Sequence, residues 1–85
     1  MRTFSAEDGS TWVATAREEA TPRHHGRWYL VFHIEGDEAT TWPMHEVRWQ
    51  TFQSADRTLA TMSLFELRRR LATVLARAPV EPPVG

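Results

Sequence analysis

Arg27-Trp28-Tyr29-Leu30-Val31-Phe32-His33-Ile34 is the stretch on which the fold turns. Side chains of an extended chain alternate between two faces. Trp28, Leu30, Phe32 and Ile34 therefore share one face, and Tyr29, Val31 and His33 the other. Because the second face is also half apolar, the segment predicts a central strand. Downstream, Glu35-Gly36-Asp37-Glu38 predicts a hairpin turn into Ala39–Trp42, and Pro43 either stops that strand or leaves it at a sheet edge. Glu46 to Phe52 reads as a last strand, with Val47, Trp49 and Thr51 on one side. Upstream, the turn signal Glu7-Asp8-Gly9-Ser10 joins Arg2-Thr3-Phe4 to Thr11–Arg17, a second hairpin with Trp12, Ala14 and Ala16 on one face. Between the hairpins, Glu18 to Gly26 is polar, contains Pro22 and reads as an exposed, mobile loop.

The C-terminal part changes period. Ser54 predicts the N-cap of a short helix through Met62, and Ser63 with Glu66 forms the S-x-x-E pattern that starts a second helix running to about Ala78. Pro79 ends it. At 100° per residue, Leu64, Leu67, Leu71, Val74, Leu75 and Ala78 form one stripe, which should face the sheet. Phe65, Ala72 and Ala76 widen the apolar arc beyond what one sheet contact needs. The expected fold class is thus α+β: an antiparallel β-meander of three to five strands, packed on one face by the C-terminal helix, with a short preceding helix at its edge. Residues 1–78 form one domain in this reading, and 79–85 a Pro-rich extended tail.

Composition narrows the chemistry. The chain has 85 residues, and four Trp, four Phe and one Tyr give a short chain large side chains to bury. No Cys is present, which removes thiolate nucleophiles, disulfides and Cys-based metal sites. All ten basic residues are Arg, so neither a Schiff base nor a P-loop lysine can form. No apolar run has the length of a membrane span or a signal segment, and a cytoplasmic protein is expected.

His24, His25, His33 and His45 match no metal-ligand spacing. The acidic turns at 7–10 and 35–38 lack the alternating ligands of a calcium loop. No G-x-S-x-G, G-x-G-x-x-G or H-E-x-x-H pattern occurs, so neither enzyme activity, cofactor nor metal is expected. Arg68, Arg69, Arg70 and Arg77 suggest a nucleic-acid contact, but three consecutive helical residues fan out over roughly 200°. Glu66 is also placed to pair with Arg69 and Arg70, and the net charge is −1. The preferred expectation is a non-enzymatic protein-interaction module, a homodimer or an accessory subunit of a larger assembly. Its contact residues would be Tyr29, Val31 and His33 on an open sheet face, with Phe65 and Arg69 on the helix flank.

Overall fold

Strand β3, Trp28–Ile34, forms where the alternation of its side chains places it and lies inside the sheet. The computed structural model describes residues 1–19 and 27–77. Strand β1 (Arg2–Ser5) pairs with β2 (Thr11–Glu18), β2 with β3, and β3 with β4 (Asp37–Trp49), all antiparallel and in chain order. Helices α1 (Phe52–Thr61) and α2 (Leu64–Leu75) follow and pack on the sheet. The architecture is the expected α+β meander, with four strands. Most of the loop expected at 18–26, and the tail expected at 79–85, fall outside the described residues.

Both turns depend on a glycine. Gly9 and Gly36 have φ of +91° and +89°, a region that costs an ordinary residue about 1–2 kcal/mol. In the first turn Gly9 N–H donates to Ala6 O at 3.0 Å, and Ala6 N–H donates to Ser10 O at 2.8 Å. That is the bonding of a tight turn closed by a glycine bulge. Asp8 Oδ1 accepts from the Ser10 amide (2.9 Å) and hydroxyl (2.5 Å), and Ser10 Oγ accepts from Trp12 Nε1 at 2.9 Å. The turn is thereby tied to the first core residue of β2.

The third hairpin departs from expectation. Residues 39–52 were expected to form two strands separated at Pro43, but β4 is one strand running from Asp37 to Trp49. It survives because the register slips twice. Ile34 opposes Asp37 and Phe32 opposes Trp42, while Leu30 opposes Met44 and Tyr29 opposes Arg48. Surplus residues of β4 are absorbed at these two irregularities, and Pro43 sits opposite Val31 on a strand at the sheet margin, where a missing N–H is tolerated.

Phe52 belongs to α1 rather than to a strand. The N-cap is Thr51, not Ser54: Thr51 Oγ1 accepts from the Ser54 amide at 3.1 Å. Starting three residues earlier places the Phe52 ring edge-on to Trp28, centroids 5.3 Å apart. In α2 the expected cap holds, with Ser63 Oγ accepting from the Glu66 amide at 3.1 Å. The Glu66 carboxylate does not return the bond; it pairs with Arg69 at 2.6 Å and Arg70 at 3.1 Å, as the spacing predicts. The helix ends at Leu75, with Ala76 as its C-cap.

The core joins Phe4, Trp12, Ala14, Leu30 and Phe32 of the sheet to Leu59 of α1 and Leu67, Leu71 and Val74 of α2. Phe4 and Phe32 meet edge-to-face at 6.0 Å. Of the inward residues expected on β3, Leu30 and Phe32 are buried, Trp28 is half-buried, and Ile34 is exposed beside the turn. Helix α1 is not peripheral: Ala55 and Leu59 are fully buried. Its C-terminal carbonyls are collected by the opposite end of the chain. Arg2 Nη1 donates to the carbonyls of Leu59, Ala60 and Met62, each at 3.0 Å.

Candidate functional site

Alternation along β3 separates the five expected contact residues into two groups. Tyr29, Val31 and His33 lie on the sheet face away from the core cluster, whereas Phe65 and Arg69 lie on α2. The first group does not form the open surface that alternation suggested. Val31 is 0 % exposed, His33 7 %, and Tyr29 is half-buried. The sheet order explains much of this, because a central strand has neighbours on both sides. Val13 stands opposite His33, while Thr15 and Pro43 flank Val31. Tyr29 stacks at 4.5 Å on the His45 ring and lies 5.6 Å from the Arg48 guanidinium. Arg48 is in turn held by Glu19 at 2.8 Å and by the His45 carbonyl at 2.9 Å. The His33 ring donates from Nδ1 to the Ile34 carbonyl at 2.9 Å. These side chains are engaged with their own sheet.

The second group opens onto a groove. Leu67, Leu71 and Val74 are buried and span about 60° of α2 viewed end-on. Continuing round the helix in one direction come Leu64, Leu75, Arg68, Ala72 and Phe65 over roughly another 120°. This side overhangs the β1–β2 turn and, with Ala6, Glu7, Asp8 and Trp12, encloses a cavity of about 550 Å³ open to solvent. Phe65 is 76 % exposed, Leu75 45 % and Leu64 38 %. Leu64 and Leu75 were expected to face the sheet. Instead the helix is rotated so that one border of its stripe is buried and the other stands free. Beyond Phe65 and Arg69, the groove residues, among them Trp12, Leu64 and Leu75, were not expected as protein contacts. The one-sided placement of Phe65 and Ala72 was the available signal.

The rim carries both signs of charge, and Asp8, Arg68 and Arg69 also have local partners. Asp8 is hydrogen-bonded by the Ser10 hydroxyl and then the Ser10 amide, which holds its carboxyl below the ordinary value. Arg68 donates to the Ser5 carbonyl (2.8 Å) and Ser5 hydroxyl (3.1 Å), covering the outer end of β1. Arg69 pairs with Glu66. Arg70 and Arg77, the other two arginines of this end of the chain, also stand beside carboxylates. Arg70 lies beside Glu66 without hydrogen-bond alignment. Arg77 clasps Glu46 through two bonds of 2.7 and 3.2 Å, chiefly through which the Glu46 carboxyl is pushed down to about 2.

Among the described residues no group of three or more His, Asp or Glu could hold a metal ion, and His24 and His25 lie outside those residues. No helix among the described residues is long and apolar enough to cross a membrane. The chain matches no protein-family model, no curated protein and no solved structure.

Proposed function

We propose that this chain is a small, non-enzymatic protein-interaction module that offers the α2 flank and its groove to an apolar side chain of a protein partner. It works in the cytoplasm, either paired with itself or as an accessory subunit. The observation that carries the reading is the exposure of Phe65 on a regular helix, beside Leu64 and Leu75 and above an apolar groove. Burying one such side chain gains about 1.5–3 kcal/mol, so an isolated chain leaves several apolar contacts unused. Contiguous apolar surface rimmed by charge is characteristic of protein contact sites, and aromatic residues dominate the energy of such contacts. The groove walls are chiefly apolar, and Asp8, Arg68 and Arg69 at the rim are bound to their own chain, which favours recognition over catalysis.

Site-specific photo-crosslinking in the native cells tests this. A photoreactive residue at position 65 should give a discrete protein adduct, and one at exposed Glu38 should not. No adduct from position 65 refutes the reading.

A further inference from the structure

We infer that the occupant of this groove is a second copy of the chain, related by a two-fold axis, with Phe65 of each copy seated in the groove of the other and Arg69 of each facing the partner's Glu7–Asp8 turn. This rests on the interaction reading above and specifies its partner. A two-fold contact requires one patch to be complementary to itself. The α2 flank meets that requirement twice over. It carries a projecting aromatic ring, 76 % exposed, immediately beside a cavity of about 550 Å³. Its rim also carries two carboxylates, Glu7 and Asp8, and two guanidiniums, Arg68 and Arg69. A strongly acidic or basic partner would meet like charge on one side of the groove. A second copy presents the opposite sign at both rims, and the joined patch has no net charge. A contact centred on one such groove is small beside a standard interface, so a reversible dimer is expected.

Sedimentation equilibrium of the full chain across about 1–500 µM should show the mass rising from 9.8 kDa toward twice that value. Phe65→Ser should abolish the rise while leaving the melting temperature within a few degrees, since the ring contributes little to its own fold. The decisive arm uses rim charges. Glu7→Arg and Arg69→Glu should each stay monomeric when alone, because like charges then face each other. An equimolar mixture of the two should recover the doubled mass, because one cross-contact is then the natural one and the other sets the introduced carboxylate against the introduced guanidinium. A wild-type chain that remains at 9.8 kDa throughout overturns the inference, as does a mixture no heavier than its components. The crosslinking separates the two readings. An adduct of twice the chain mass supports the second copy, and a heavier or lighter adduct refutes it while the interaction reading stands. No adduct at all removes both.

Discussion

Replacing Arg2 by Met should destabilise the fold by about 2 kcal/mol, even though the side chain belongs to a four-residue strand at the start of the chain. Methionine keeps most of the aliphatic stem and removes the guanidinium, so the change isolates the bonds to the end of α1. Those bonds converge on the carbonyls of Leu59, Ala60 and Met62 at the helix end, of which Leu59 O also accepts a long 3.4 Å bond from the Met62 amide. One Nη1 shared among three acceptors counts as less than three bonds. The Ala60 contact is exposed, and its carbonyl can return to water; the contacts to Leu59 and Met62 are part-buried. A hydrogen bond to a charged group contributes roughly 1.5–3 kcal/mol, and a cation at a helix C-terminus a further 0.3–1 kcal/mol at exposed sites. About 2 kcal/mol after partial rehydration corresponds to a fall in melting temperature of roughly 8–16 °C for a domain of this size. Thermal denaturation followed by circular dichroism reads it directly. Arg57→Met is the control, since Arg57 is exposed on α1 and the two residues have similar helix propensity. If Arg2→Met melts within about 2 °C of Arg57→Met, the guanidinium does not hold the helix end and the reasoning fails.

Other expected outcomes concern the turn, the helix rotation and the exposed ion pair. Gly36→Ala should cost about 1–2 kcal/mol by urea unfolding although the site has open space around it, because the strain is in the backbone. Gly36→Asn should recover part of that loss. Leu67→Ala should cost about 2–5 kcal/mol and Leu64→Ala less than about 1 kcal/mol. Equal losses would mean that α2 is not turned as described. Glu46 has a folded-state value lowered from 4.5 to about 2, so its pairing with Arg77 stabilises the fold above 4.5 and is lost as pH falls toward 2. The difference in melting temperature between the natural chain and Glu46→Gln should accordingly shrink over that range. It should also be small and salt-sensitive at neutral pH, because the pair is exposed. A difference independent of pH would show that the clasp does not couple to folding.

The sequence was legible where local signals agreed with one another. Alternation at 28–34, two glycine turns and the Ser63 cap give the meander and the last helix with nearly correct limits, because each depends on neighbours in the chain. The errors came from long-range packing. Pro43 reads as a strand break until two register slips make room for it. Thr51 and Ser54 are equally good caps locally, and the contact of Phe52 with Trp28 favours the earlier start. Arg2 offers no local hint that it will reach a helix end nearly sixty residues away. The candidate site was half legible. The excess apolar arc of α2 pointed to Phe65, but a helical wheel has no absolute orientation. It could not say which border of the stripe would be buried. Tyr29, Val31 and His33 lie on the expected face, but that face is not open, because its engagement depends on side chains of β2 and β4 that alternation on one strand does not reveal.

The two margins of the sheet decide how this molecule can grow. At one, Pro43 and two slips interrupt the regular series of donors and acceptors; at the other, only four residues are available, and Arg68 occupies the Ser5 carbonyl. An incoming strand from another molecule finds no continuous template on either side. Growth by adding strands at the sheet margins is therefore disfavoured, even for a sequence rich in aromatic β-formers.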